Sequence, residues 1–282
     1  MVYRNLEHID FDTLFRGFER AFSDYEIRFE KEEVRSMLKR RGFNPRLSFA
    51  AFDNDEIVAF TLNGTGLFNN VPTAYDTGTG TSKEYRGQGI AGKIFNHSLP
   101  YLKESGIRQY LLEVLQNNSN AISVYRRMNF KTTREFNCFR QSIENICKSH
   151  DASVECSIGP VGIDFISQSQ NFCDFSPSWQ NSMESIRRGE SDIKCIGAMI
   201  DGNPVGYCVF DPNTGDLTQI AVKNEFRRIG IASRLLNEAI GLMKTEFVKV
   251  LNITSDNQSL TGFLKRKNIT LASCQFEMLL QL

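Results

Sequence analysis

Two twelve-residue stretches place an arginine, a glycine and an alanine at the same spacing. Residues 84–95 are EYRGQGIAGKIF, and residues 225–236 are EFRRIGIASRLL. In each stretch the pattern Arg-x-x-Gly-x-Ala separates a predicted strand from a predicted helix. The first N–H groups of a helix lack intrahelical partners and carry the positive end of its dipole, and small residues let an anion approach the backbone. The pattern therefore predicts a phosphate site, with a tight strand-to-helix turn as the alternative that stays open.

The two stretches also divide the chain. They share five of twelve residues and lie 141 positions apart, half of the 282-residue length. An internal repeat at this spacing predicts two domains, each long enough to bury its own core. We place the division between residues 1–147 and 148–282, within a boundary region near 145–155.

Composition excludes several classes of function. Lysine plus arginine equals aspartate plus glutamate, 33 each, so the neutral chain has no general electrostatic attraction to nucleic acid or to an anionic membrane. The first fifteen residues do not resemble a signal peptide, and no apolar run approaches the length of a membrane span. Seven cysteines without CxxC spacing indicate reduced thiols in the cytoplasm. The three histidines, His8, His97 and His150, are too far apart in sequence to indicate a metal site.

Hydrophobic periodicity predicts the same order of elements in both halves. In the first half we expect two helices, a hairpin around Asp53-Asn54-Asp55, a glycine-rich strand over 73–82, and the glycine turn with its helix. That helix is expected to be interrupted or kinked at Pro100. A strand over 109–115, a short helix and a last strand complete the half. The order predicts an α/β fold with a mixed sheet, in which antiparallel hairpins lead into a central parallel pair.

The glycine turn YRGQGIA combined with LEVLQNNSNAISVYRRMNF (112–130) resembles the GCN5-related N-acetyltransferases. The resemblance covers both halves and is strongest over 74–130 and 217–264. It implies two tandem acyl-CoA N-acyltransferase domains, each a mixed, splayed β-sheet flanked by helices. It also implies acetyl-CoA as the donor, no metal, and a primary amine of a small molecule or peptide as the acceptor.

The family pattern then assigns residues. The turn would hold the pyrophosphate of coenzyme A mainly through main-chain groups, so the Arg86 side chain need not touch phosphate. The preceding strand and an asparagine after the next strand would contact the pantetheine arm. In the first half these residues are Thr79, Gly80, Thr81, Ser82, Arg86, Gly87, Gln88, Gly89, Ile90, Ala91 and Asn118. In the second half they are Ile220, Ala221, Val222, Arg227, Arg228, Ile229, Gly230, Ile231, Ala232 and Asn257.

The resemblance also implies proton-transfer residues. Tyr125 stands where the family places the proton donor to the leaving sulfur, and a phenol with a pKa of about 10 suits that role. Glu113 precedes it with a spacing similar to that in bacterial ribosomal-protein N-terminal acetyltransferases, where the glutamate is the proposed base. A strand carboxylate paired with an arginine such as Arg126 is the alternative for Glu113. Tyr75 and Asp76 are substitute candidates for the base or for acceptor binding.

The second half lacks this pair. With Asn118 aligned to Asn257, Tyr125 meets Leu264 and Glu113 meets Asn252. Leucine cannot donate a proton and an amide is no base, so we expect the first half to be the catalytic one. The second half is then a structural partner, a coenzyme A sensor or a wall of the acceptor site.

Two other interpretations remain. One is a non-catalytic acyl-CoA-binding sensor, which would not need Glu113 and Tyr125. The other is a dinucleotide-binding domain, because residues 87–92 match GxGxxG literally, although no ribose-binding acid is evident. The sequence does not identify the acceptor; the residues expected near it include Phe22, Ser23, Asp24 and Tyr25. It does not indicate the oligomeric state either.

Overall fold

The structure is a computed structural model that describes residues 1–24, 30–148 and 155–282. Tyr25, His150 and part of the expected boundary region lie outside the described residues. Within them, no helix is both long and apolar enough to cross a membrane. The described chain groups into two compact units, of which the first comprises Met1–Val114, Asn118–Thr133 and Glu277–Leu282, and the second Leu115–Asn117 and Arg134–Phe276. These units interleave along the chain, while the division at residues 147 and 148 concerns the sequence repeat and stays a prediction.

The first unit contains a sheet in the order β1-β2-β3-β4-β5, with the end of the last strand, β12, beside β5. The pairs β1–β2, β2–β3 and β3–β4 are antiparallel, and the pair β4–β5 is parallel. Asp10 caps α1 by accepting from the Thr13 N–H at 2.8 Å. The elements that lie wholly within this unit are β1 (Val2–Asn5), α1 (Phe11–Ala21), α2 (Lys31–Arg40), β2 (Phe49–Asp53), β3 (Glu56–Phe68), β4 (Val71–Thr81), α3 (Ile90–Glu104) and α4 (Ser119–Arg127). Strand β5 (Gln109–Leu115) lies in it up to Val114.

The second unit repeats this plan. Its strands follow the order β12-β6-β11-β10-β9-β8-β7, and β10 is parallel to β11. Its elements are β6 (Lys131–Ser142), β7 (Ser157–Pro160), α5 (Ile163–Gln168), α6 (Met183–Arg188), β8 (Lys194–Ile200), β9 (Asn203–Asp211), β10 (Asp216–Val222), α7 (Ile231–Leu242), β11 (Phe247–Thr254), α8 (Gln258–Arg266) and β12 (Thr270–Gln281), where β6 belongs to the unit from Arg134 and β12 as far as Phe276.

The mixed α/β fold is therefore confirmed, with two differences. Each half begins with a short strand, β1 or β7, that the sequence did not predict, because four residues are too few to show a period. Helix α3 includes Pro100 in one continuous span, which excludes the expected interruption, while the alternative of a kink stays a prediction. Proline removes one N–H donor, yet the buried side chains on both sides of it, including Ile94 and Leu102, keep the helix packed on the sheet.

Candidate active site

Strands β4 and β5 pair over only three residues and then diverge. The parallel register holds from Thr73↔Gln109 to Tyr75↔Leu111 and goes no further. The cause lies on the other edge of β4, where Thr77 is an extra residue between the pairs Leu62↔Gly78 and Asn63↔Asp76. A bulge of this kind bends its strand and increases the local twist. From Asp76 onward β4 is no longer paired with β5, and we call the region between the two unpaired strand segments the cleft.

A polar contact spans the start of this cleft. The hydroxyl of Tyr75 donates to Glu113 Oε2 at 3.0 Å, linking β4 to β5. Tyr75 is buried, and both burial and the neighbouring Glu113 carboxylate raise its pKa. Tyr75 therefore stays protonated and acts as a fixed hydrogen-bond donor to the predicted base.

Asp76, the next residue along β4, contacts the predicted acid. Its carboxylate accepts from the Gly78 N–H and the Thr79 hydroxyl, each at 2.9 Å, and from the hydroxyl of Tyr125. Burial raises the pKa of Asp76 to about 6 against these hydrogen bonds. Burial and the Asp76 carboxylate raise the pKa of Tyr125. The phenol is thus protonated at neutral pH, and its proton is held by a carboxylate that titrates near pH 6.

The four groups form a cluster around this point of β4, in which the consecutive residues Tyr75 and Asp76 point to opposite faces of the strand. Arg41 joins the cluster from the end of α2, where its guanidinium donates to the Thr77 carbonyl at 2.9 Å and lowers the pKa of both Tyr75 and Asp76. Glu113 and Tyr125 are therefore each held by a different residue of β4, beside the point where β4 and β5 stop pairing. Titratable groups with raised pKa values near one another are typical of sites of proton transfer.

The glycine turn lies where β4 leads into α3. Gly87 and Gly89 have φ angles of 76° and 70°, and Gly89 caps the helix. A Cβ built on either glycine would have no protein atom within 4 Å, so the space above the turn is open. Helical N–H groups that face open space can receive an anion. The turn is thus open enough to receive an anion, and pyrophosphate binding by Gly87, Gln88, Gly89, Ile90 and Ala91 stays a prediction.

Arg86 has a different role from the glycines. Its guanidinium donates to the Thr81 carbonyl at 3.0 Å and the Ala21 carbonyl at 2.9 Å, and it pairs with both oxygens of Asp24 at 2.6 and 2.7 Å. This contact holds the pKa of Asp24 down at about 2. The side chain therefore ties the end of α1 to the end of β4, and any contact from Arg86 to a phosphate would come from its main chain.

Arg227 repeats this arrangement in the second half. It donates to the Val222 carbonyl at 2.8 Å, the Phe172 carbonyl at 3.0 Å and Asp174 Oδ2 at 2.9 Å. The arginine of the shared motif is thus a structural link in both copies.

The predicted pantetheine residues also have structural partners. A Cβ on Gly80 would lie 2.7 Å from Phe60 Cζ and 2.9 Å from Ala21 Cβ, so packing against β3 and α1 requires glycine there. Asn118 caps α4 by accepting from the Ala121 N–H at 3.1 Å, and Asn257 caps α8 from Leu260 at 2.9 Å. Ser82 is buried, and its hydroxyl has no hydrogen-bond partner among the described residues. The ligand contacts of Thr79, Gly80, Thr81, Ser82 and Asn118 stay predictions.

The second half contains a cavity of about 300 Å³ beside its own glycine turn. The turn has the same left-handed geometry, with φ angles of 67° at Arg228 and 92° at Gly230. Aromatic and basic side chains, including Phe226, Phe263 and Arg266, complete the walls. Of the predicted second-half cofactor residues, the lining includes Ile220, Ala221, Val222, Arg227, Arg228, Gly230, Ile231, Ala232 and Asn257, and omits Ile229.

The residues aligned with the proton-transfer pair are buried in this half. Leu264 is fully buried in the hydrophobic core of the second unit. Asn252 is also fully buried and donates to the Ser178 hydroxyl at 3.1 Å. Neither can carry out acid–base chemistry.

The sequence profile of the acetyltransferase (GNAT) family matches residues 11–130 and 165–268. The chain belongs to this family. The tandem GNAT organisation is shared by solved structures that align with nearly the whole chain. A tandem GNAT protein from the clavulanic acid biosynthesis pathway has a TM-score of 0.73 at 13% identity, with 99% of this chain and 98% of that chain covered. A GNAT from Sphaerobacter thermophilus has the same TM-score and identity, with 99% and 95% covered. At such identities the likeness concerns the fold alone.

Two GNAT relatives share sequence over shorter segments. N-alpha-acetyltransferase 30 of Schizosaccharomyces pombe is 34% identical over 87 residues, which is 30% of this chain and 58% of the relative. N-alpha-acetyltransferase MAK3 of Arabidopsis thaliana is 29% identical over 86 residues, 30% of this chain and 45% of the relative. The chain thus spans about half the length of each.

Proposed function

We propose that the protein is an acetyl-CoA-dependent N-acetyltransferase whose chemistry takes place in the first half. The observation that carries this proposal is the position of the Tyr75–Glu113 and Asp76–Tyr125 pairs at the divergence of β4 and β5. A donor whose phosphates rest on the turn at Gly89 would extend along β4 toward these pairs. The acetyl carbon would then meet the acceptor amine beside them.

The acceptor nitrogen bonds to the acetyl carbon, and the carbon–sulfur bond breaks. Glu113 takes the proton that the amine loses, directly or through a water molecule. Tyr125 gives a proton to the departing thiolate, and its protonated state at neutral pH suits that role. Asp76 positions the Tyr125 hydroxyl. Backbone N–H groups of β4 beyond the bulge would polarise the thioester carbonyl.

The acceptor is a primary amine of a small molecule or peptide. The names of the two relatives favour the α-amino group of a peptide. A screen should therefore offer peptides with varied first residues beside small amines, and measure free thiol as the product. Thiol release that depends on an acceptor, together with acetylated acceptor by mass spectrometry, would support the proposal. Coenzyme A binding without turnover on any acceptor would favour the sensor instead.

A further inference from the structure

The cleft of the second half is bridged by the protein itself. Strands β10 and β11 pair only at Asp216↔Lys249, and Thr218 is an extra residue on β10 between the pairs Leu217↔Phe210 and Gln219↔Val209. Thr218 stands 141 positions after Thr77, so both halves have the bulge at the same place in the repeat. The second cleft therefore opens by the same cause as the first one.

Residues 178–182, which we call the plug, occupy that opening. Gln219 Nε2 on β10 donates to the Asn181 carbonyl at 2.6 Å. Asn181 Nδ2 donates in turn to the Leu251 carbonyl on β11 at 2.8 Å. The plug thus replaces the missing ladder between β10 and β11 with two hydrogen bonds. The first half has Gly78 at the position of Gln219, and glycine has no side chain that could make such a bridge.

The plug is firmly packed. Trp179 is 1% exposed and Asn181 is 4% exposed. Gln219 Oε1 accepts from the Tyr207 hydroxyl at 2.8 Å and from Gln170 Nε2 at 3.0 Å, which fixes the amide that holds Asn181. Buried hydrogen bonds of this kind are costly to break because the freed donor and acceptor would remain buried, without water or another partner.

Asn252 supplies the other support. It aligns with the predicted base Glu113, and its amide holds Ser178 at one end of the plug. The position that could serve proton transfer in the first half thus serves to close the cleft in the second.

The cavity beside the second glycine turn does not extend to this bridge. Its lining on β10 begins at Ile220 and includes neither Gln219 nor any plug residue. The end of the cleft beside the second glycine turn, where phosphates would bind, is open, and the end next to the bulge is filled by the plug.

We propose that the plug makes the second half a site that accepts the phosphate end of a coenzyme A-class ligand and excludes an acyl group at the thiol end. The inference rests on the proposed function in one respect, the use of coenzyme A by this chain. Gln219 and Asn181 are the residues that set this specificity, and the second half then transfers no acyl group because the thioester cannot reach the bulge of β10.

The test uses the full chain with Gly89→Val, so that the second half provides the remaining site. Calorimetry compares coenzyme A, acetyl-CoA and butyryl-CoA. We expect coenzyme A to bind best and butyryl-CoA to bind about tenfold or more weakly, because added carbons must displace closely packed atoms. Asn181→Gly or Gln219→Gly should bring the three ligands within about threefold of one another by removing one side of the bridge.

Equal affinity for coenzyme A and butyryl-CoA in the Gly89→Val protein would overturn the proposal, and so would the absence of any binding. The comparison needs no plug variant, so it stands even if removing a buried hydrogen bond prevents folding, which circular dichroism would reveal. It also measures no turnover. Failure of acetyl transfer in the unmutated chain would count against the proposed function and leave the ligand order as a separate result.

Discussion

The Tyr75 hydroxyl lies 3.0 Å from Glu113 Oε2 and thereby joins the two strands that separate at the candidate active site. One residue further along β4, Asp76 makes a second such link, to Tyr125 on α4. The two faces of one strand thus hold the two groups that acetyl transfer would use, and each can be tested separately.

Removing the Tyr125 hydroxyl should affect turnover more than binding. In Tyr125→Phe the ring is retained, so the T-shaped contact with Phe130 survives. We expect kcat to fall by roughly 10²–10⁴ if the phenol protonates the leaving thiolate, with little change in the Kd for acetyl-CoA. Steady-state kinetics and calorimetry measure the two quantities. A normal kcat would assign that proton to water or to another side chain.

Because of Asp76, the profile of kcat against pH should fall on its acidic side. Its pKa is raised to about 6, and its ionised form is the one that accepts the Tyr125 proton. As the pH falls through about 6, the carboxylate is neutralised and kcat should decline; in Asp76→Asn this decline should disappear. The contribution of Asp76 to the free energy of unfolding changes in the opposite direction with pH. Because the pKa of Asp76 is higher in the folded than in the unfolded chain, Asp76 favours folding most at low pH and progressively less as the pH rises through about 6. A pH–rate profile with no inflection near 6 would contradict this role.

The two glycine turns should differ in their effect on catalysis. Valine is strained at the positive φ of Gly89 or Gly230, and at Gly89 its side chain would fill the open space above the turn. Gly89→Val should abolish acetyl transfer, whereas Gly230→Val should leave most of it. Melting curves of both variants separate folding defects from lost binding. If Gly230→Val stops turnover in a folded protein while Gly89→Val does not, the active half has been wrongly assigned.

Two glycines of β4 provide a matched pair for stability. Gly80→Ala would bring a Cβ to 2.7 Å from Phe60 Cζ and should destabilise the fold by about 1–3 kcal/mol through overpacking. In Gly78→Ala the nearest atom, Phe18 Cε2, is 3.9 Å away, an ordinary contact, so this variant should remain close to the original stability. Urea unfolding of both compares them directly. Equal losses would show that backbone conformation, and not contact with Phe60, decides the effect.

The Arg86–Asp24 pair should influence the acceptor side. Arg86→Lys keeps the charge but loses the planar fork that contacts Asp24 and two carbonyl groups. We expect the KM for the acceptor to rise more than the KM for acetyl-CoA, since Asp24 follows α1 where acceptor contacts are predicted. Arg227→Lys makes the same chemical change in the second half and serves as the control. An equal rise from both variants would point to a general loss of folding.

Local sequence patterns predicted most of the elements because each has a strong periodic or turn signal. The hairpin at Asn54 and Asp55 is an example: both residues adopt positive φ angles, which Asn and Asp tolerate. The glycine turns could be proposed because each follows a predicted strand at the same spacing, whereas Glu113 and Tyr125 were proposed from the resemblance to the acetyltransferase family.

Tertiary contacts account for what the sequence did not indicate. Nothing in the type of Thr77 marks a bulge, and only the pairing of β4 with β3 creates it. The hydrogen bond that the Tyr125 hydroxyl donates to Asp76 joins residues 49 positions apart. Likewise, Asn181 has no local feature that would connect it with Gln219, so the plug could be found only in three dimensions.

The membership of Glu277–Leu282 in the first unit has a consequence for the order in which the protein can mature. Leu282 donates its N–H to the Arg108 carbonyl at 2.9 Å, and Glu277 accepts from the Thr133 hydroxyl at 2.7 Å. A ribosome makes residues 277–282 only after it has translated Arg134–Phe276, which belong to the second unit. The nascent first unit therefore emerges with the edge of β5 unpaired, a state exposed to wrong strand pairing. The first unit would therefore complete its sheet late, and a stop codon before residue 277 should destabilise the first unit by removing these contacts.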